Sequence, residues 1–163
     1  MKYIVLILLF SFTFSACTKE QNRQLLNAYF KFKLDGTEVS IADEVGLNDN
    51  LFECLIIGDS ALYIDAVKKV QGAGFAIKLP KIKDSTYLLD SIQRAYYIDP
   101  GEQNRYYTNS LFKGTITIKR GTFQAKDVLN TMSGTFSYQV KDTLNNRVHN
   151  ITEGSFLMEI KEQ

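Results

Sequence analysis

Between residues 28 and 34 the chain reads AYFKFKL, with Ala28, Phe30, Phe32 and Leu34 alternating against Tyr29, Lys31 and Lys33. Successive side chains leave a strand on opposite sides, so a period of two marks a strand with one buried face. The pattern recurs in Leu62, Ile64 and Ala66 against Tyr63 and Asp65, and in Phe75, Ile77 and Leu79 against Ala76 and Lys78. It returns at Ile116 and Ile118, at Phe136, Tyr138 and Val140, and at Phe156, Met158 and Ile160. Such alternation belongs to antiparallel sheets with one wet face. No window keeps a helical period for ten residues with caps at its ends. The expected fold is therefore all-β, an antiparallel β-sandwich of about nine or ten strands, with an open or closed β-barrel as the alternative that shares the same period.

Turn chemistry orders these strands. Asp35-Gly36 is the strongest short-range hairpin signal, because glycine accepts the positive φ of the favoured turn. Residues 42–50 and 121–131 read as loops with at most a turn of helix. The carboxy-terminal hairpin pairs a strand over 134–141 with one over 147–161, through a turn around Leu144-Asn145-Asn146 and with a bulge near Glu153-Gly154.

The amino terminus has a different layout. Lys2 precedes an apolar run from Tyr3 to Phe10, and Ser15-Ala16 leads into Cys17. The run is too short for the roughly 20 apolar residues of a spanning helix and has the plan of a signal peptide. Phe14, Ser15, Ala16 and Cys17 resemble the bacterial lipoprotein box, which implies cleavage before Cys17 and acylation of Cys17. The expected organisation is a signal peptide over 1–16, a lipidated cysteine and polar tether over 17–27, and one β domain over 28–163. Two or three acyl chains on Cys17 would hold the protein to its membrane. The expected location is the extracytoplasmic side of the cell envelope, at the outer membrane, with the leaflet open.

Removing residues 1–16 from 163 leaves 147, and taking Lys2 from 19 basic against 18 acidic residues balances the charge. That balance gives no basic footprint for nucleic acid. Cys54 is then the one remaining thiol, so no disulfide forms within the chain; in LFECLII it shares a strand face with Phe52 and Ile56 and reads as a core residue.

The segments FKGTITIKR, MSGTFSYQVKD and HNITEGSFLMEI together resemble an uncharacterised family of Bacteroidota lipoproteins with a Ser-Gly-Thr-Phe strand and an Ile-Thr-Glu-Gly-x-Phe strand, here Ser133 to Phe136 and Ile151 to Phe156. The resemblance covers residues 113–161 and implies an all-β extracytoplasmic domain with no assigned reaction. Gly134 and Gly154 read as points where the backbone bends, and Phe136 and Phe156 as core anchors.

Motifs for chemistry are scarce. There is no nucleophile elbow, phosphate loop or dinucleotide fingerprint. His149, the single histidine, lies beside a hairpin turn and reads as a surface residue. Asp84, Asp90, Asp99 and Glu102 are scattered carboxylates, and Asp99-Pro100-Gly101-Glu102 reads as a turn in preference to a calcium site. No catalytic residue, cofactor or metal is expected. The unusual stretch is RAYYIDPGEQNRYYTN, residues 94–109, whose paired tyrosines Tyr96, Tyr97, Tyr106 and Tyr107 form a candidate binding face for a glycan or an envelope protein, weighed against plain cross-strand packing. The expected role is a non-catalytic, lipid-anchored interaction module. An inhibitor or immunity-type lipoprotein and a carboxylate-dependent hydrolase are the alternatives.

Overall fold

A computed structural model describes residues 28–42, 50–58, 60–68, 71–78, 81–99, 104–124 and 128–163; the signal-peptide, Cys17 and tether expectations lie outside these residues. Eleven strands form among them: β1 (Tyr29–Leu34), β2 (Thr37–Ala42), β3 (Asn50–Ile57), β4 (Ala61–Lys68), β5 (Gln71–Lys78), β6 (Ser85–Leu89), β7 (Arg94–Ile98), β8 (Arg105–Tyr107), β9 (Gly114–Gln124), β10 (Val128–Asp142) and β11 (Arg147–Glu162). The fold is all-β, and the sheet is not closed into a barrel. Residues 121–124 and 128–131 are not loop as expected. They continue β9 and β10 in antiparallel register from Gly121↔Thr131 to Gln124↔Val128. Their polar, mixed composition hides the period of two that a buried face would impose.

The strands form two groups that share β11. One runs β6-β9-β10-β11-β1-β2, and the other runs β3-β4-β5-β7-β8. β1 covers the free edge of β11 as far as Leu157, and beyond it Ile160 to Glu162 pair with Cys54 to Ile56 of β3. That contact is parallel, a departure from the wholly antiparallel sheet expected. The groups face each other across one core: Phe75 of β5 lies 6.0 Å from the Phe30 ring, 4.9 Å from Phe136 and 5.8 Å from Tyr138. Leu62, Ile64, Ala66, Ile77, Ile116, Ile118, Val140 and Met158 are buried as their alternation requires. Cys54 is buried among them, and desolvation pushes its thiol up to about 12.

The Gly-x-Phe sequences of β10 and β11 lie opposite each other in antiparallel register, Gly134↔Phe156 and Phe136↔Gly154. Each aromatic ring thus covers the other strand's glycine. A Cβ on Gly154 would sit 2.3 Å from Phe136, and one on Gly134 would sit 2.8 Å from Phe156. The glycines provide room for rings, and the bend assigned to Gly154 is made by its neighbour. Glu153 adopts φ 51°, and with Thr152 it opposes the single residue Ser137 as a bulge. Phe136 has no space to retreat, because Phe30 stands 4.8 Å away on one side and Phe75 4.9 Å away on another. Gly154→Ala is therefore expected to lower unfolding free energy by about 1–3 kcal/mol in urea titration. The loss should shrink when Phe136 is already Leu, and equal losses in the two backgrounds would refute the ring-on-glycine account.

Candidate functional site

The tyrosine hairpin is mostly interior. β7 and β8 pair Tyr96↔Tyr107 and Tyr97↔Tyr106. Tyr97 and Tyr106 point into the core, and Tyr96 is also buried, while Tyr107 alone stays 42% exposed. The four-tyrosine face is thus reduced to one open ring. Tyr96 is covered by the Arg105 guanidinium, 4.8 Å from its centroid, and by Tyr107 at 6.0 Å, and its hydroxyl donates to Asp65 Oδ1. Tyr138 spans the core to donate its hydroxyl to the Tyr96 carbonyl at 2.6 Å. Paired aromatic strands here serve packing, since a short hairpin at a sheet edge gains most by burying both rows.

His149 is also interior, contrary to its reading as a surface residue: it is 3% exposed. It packs beside the rings of Tyr97 and Tyr106, at 5.3 Å and 6.3 Å. The turn next to it, residues 143–146, is exposed, but the imidazole itself is covered by Asp35 of the β1–β2 turn and Asp99 at the end of β7. Its Nδ1 is 3.0 Å from Asp35 Oδ2. Asp35 occupies the expected two-residue turn with φ 49°, followed by Gly36 at 89°. Its Oδ2 also accepts from Arg147 at 2.9 Å, and its Oδ1 accepts the Asn150 backbone N–H at 2.8 Å. Burial would raise the Asp35 pKa, but the Asn150 N–H and His149 outweigh it and hold the carboxyl below its usual range. On the far side of the imidazole, Nε2 lies 3.9 Å from Asp99 Oδ2. Asp142, buried at the end of β10, completes a group in which one donor atom each from Asp99, Asp142 and His149 lie within 4.8 Å of one another. Of the described carboxylates Asp84, Asp90 and Asp99, Asp99 alone joins this group; Glu102 and the turn expected at Asp99-Pro100-Gly101-Glu102 lie, apart from Asp99, outside the described residues.

Three turns at one end of the first strand group share a design. In Asp90-Ser91-Ile92-Gln93 the Asp90 Oδ1 accepts the N–H of Ile92 at 2.6 Å and of Gln93 at 3.2 Å. In Asn109-Ser110-Leu111-Phe112 the Asn109 Oδ1 accepts from Leu111 at 2.8 Å and Phe112 at 3.0 Å. In Asp142-Thr143-Leu144-Asn145 the Asp142 Oδ1 accepts from Leu144 at 2.8 Å and Asn145 at 3.0 Å. Capping by a short acceptor side chain fixes the backbone of each turn, its third residue included. That residue is a large aliphatic each time, with Ile92 74%, Leu111 82% and Leu144 68% exposed. The register Leu89↔Gly114↔Tyr138 places the three turns at the same end, since they follow β6, precede β9 and follow β10. Sequence reading missed them, although the repeated Asp/Asn–Ser/Thr–Ile/Leu triplet was there to find.

The fold and this cluster define an all-β domain of open, doubled sheet with a buried acidic histidine junction at the end that presents the three aliphatic turns. Residues 50–158 match the family described as a domain of unknown function, DUF6252, and the chain belongs to that family. The match is consistent with the uncharacterised family that its carboxy-terminal motifs resemble. No curated protein and no solved structure matches the chain.

Burial, foremost, and the Asp65 carboxylate raise the Tyr96 pKa well above its ordinary range, and burial does the same for Tyr138. Above pH about 10 the unfolded chain ionises at both positions while the folded one does not, so stability present below that pH is lost as pH rises, by about 1.4 kcal/mol per pH unit for each tyrosine. In urea titrations across this range, Tyr96→Phe is expected to make the fall in stability shallower by about one proton's worth. An unchanged slope would show that Tyr96 ionises alike in the folded and unfolded chain.

Proposed function

We propose that this is a lipid-anchored contact protein of the cell envelope, held by acyl chains on Cys17, that binds an envelope protein through the end carrying Ile92, Leu111 and Leu144. The observation that carries the contact is the trio of capped turns. Folding alone gives no reason to present a large aliphatic side chain at the tip of three separate turns, whereas ordering such side chains in advance lowers the entropic cost of binding. Turn 90–93 is held further by the Gln93 side chain, whose amide donates to the Lys78 carbonyl and accepts the Lys78 N–H, each at 2.6 Å. A glycan is the poorer occupant, since sugar rings stack on open aromatic faces and three of the four hairpin tyrosines are buried. Aliphatic tips suit an apolar protein surface.

The anchor rests on the small residues before Cys17 and the short apolar run before them. Cys17→Ser is expected to move the protein from the membrane to the soluble fraction after cell disruption; partitioning like the wild type would remove the anchor reading. For the contact, a photo-crosslinking residue at Leu111 in intact cells should give a discrete adduct that the same residue at exposed Thr117 does not. Changing Ile92 and Leu144 to Asp should abolish that adduct while altering stability by less than about 0.5 kcal/mol, as for ordinary surface substitutions. Identical adducts from positions 111 and 117 would sink the proposal.

A further inference from the structure

The strongest unexplained feature is the inner nitrogen of His149. Nε2 is fully buried and has no hydrogen-bond partner among the described residues. A buried polar nitrogen without a partner carries a desolvation cost and calls for a physical reason. Its surroundings are specific. Asp35, an acceptor, sits on Nδ1 at 3.0 Å. A carboxylate can only accept, so Nδ1 carries a proton, and in the neutral ring the lone pair is left on Nε2. That lone pair faces the carboxylates of Asp99 and Asp142.

We infer that His149 Nε2, Asp99 and Asp142 form a binding site for a divalent transition-metal ion of the zinc class, with Asp35 as the outer partner that orients the imidazole. Carboxylate–histidine–metal is the usual arrangement around ligating histidines. One imidazole and two carboxylates without thiolate suit zinc and its first-row neighbours. Calcium prefers six or more oxygens and does not explain an orphan imidazole nitrogen. Metal–ligand bonds of about 2.0–2.1 Å require donor atoms about 3.0–3.5 Å apart. The present spread, up to 4.8 Å, must therefore contract by about 1–2 Å at its widest on loading. Asp99 is the side chain free to do so, being partly exposed just beyond the end of β7, whereas Asp142 is fixed by the N–H groups of its own turn. The three ligands come from separate places: the end of β10, the start of β11 and the exit of β7. A bound ion would thus bridge the two strand groups. The site stands independently of the proposed contact role.

The test uses the full chain, stripped with chelator and titrated with Zn²⁺ and, as a spectroscopic probe, Co²⁺. Binding of one equivalent is expected, with a rise in thermal midpoint and visible Co²⁺ absorption bands. Asp99→Asn, at a partly exposed position where folding should survive, should weaken binding at least tenfold. Asp35→Asn, which leaves the three ligands in place, should weaken it about 10–100-fold. His149→Gln should abolish the Co²⁺ bands. No saturable binding by the folded wild type, or equal affinity in wild type and Asp99→Asn, would overturn the inference and leave His149 as a structural contact between carboxylates.

Discussion

The rest of the architecture depends on the reciprocal packing of Phe136 over Gly154 and Phe156 over Gly134. These pairs lie at the centre of the β10–β11 ladder, and β11 is the strand on which both halves of the molecule are built. A one-residue slip would turn every side chain of β11 to the other face. The Phe–Gly pairs oppose such a slip, because no other register gives both rings a bare backbone to cover. Phe30 then stacks on Phe156 at 6.1 Å from the adjoining strand. One local constraint therefore sets the pairing of β1, β10 and β11 and, through the carboxy-terminal residues of β11, the position of β3.

The bulge at Thr152-Glu153 follows from the same packing. Two residues opposite one let the buried row of β11 change step, with Ile151 inside before it and Phe156 inside after it. Glu153 takes a left-handed conformation that costs a non-glycine residue about 1–2 kcal/mol. Its carboxylate is held by Lys33 at 2.8 Å, an exposed pair worth at most about 1 kcal/mol. The pairing cannot offset the strain alone, so the bulge is held chiefly by the aromatic core beneath it. Upstream, the shift of step turns His149 inward and leaves Asn150 at the surface beside Asp35.

The fold was legible because its strands have one wet face, so alternation at residues 28–34, 62–66, 134–140 and 154–160 translates directly into burial. What was illegible depended on approach between distant segments. In the extensions at 121–124 and 128–131 the buried positions Leu129 and Thr131 are one apolar and one polar, so no apolar alternation marks the strand. Tyr96, Tyr97, Tyr106 and Tyr107 together make a candidate face in the sequence, and only the neighbouring Arg105, Tyr107 and Asp65 show why Tyr96 is covered. His149 shows the same limit more sharply. Its neighbours along the chain are Val148 and Asn150, both exposed, while the groups that matter to it lie at positions 35, 99 and 142. The Asp35-Gly36 turn was recognised as a turn, but its carboxylate's role in binding His149 required the fold.

The turns and the histidine junction are mechanically linked. Asp142 caps the turn that presents Leu144 and also faces His149, so one carboxylate fixes an exposed tip and belongs to the buried group. Its pKa is held down, against burial, by the Asn145 and Leu144 N–H groups and the Tyr106 hydroxyl, which keeps it the ionised acceptor both tasks require. Asp35 ties the β1–β2 turn to Arg147 at the other side of the same hairpin turn. Displacing Asp142 or Asp35 would therefore release a turn as well as a neighbour of the imidazole. A surface built from separate tips can keep a fixed shape only if the tips share a foundation. For the Leu144 tip that foundation is Asp142 beside the imidazole, whereas the Ile92 tip is held to the strand before the Leu111 turn by the Thr108 hydroxyl, which donates to the Asp90 carbonyl at 2.8 Å.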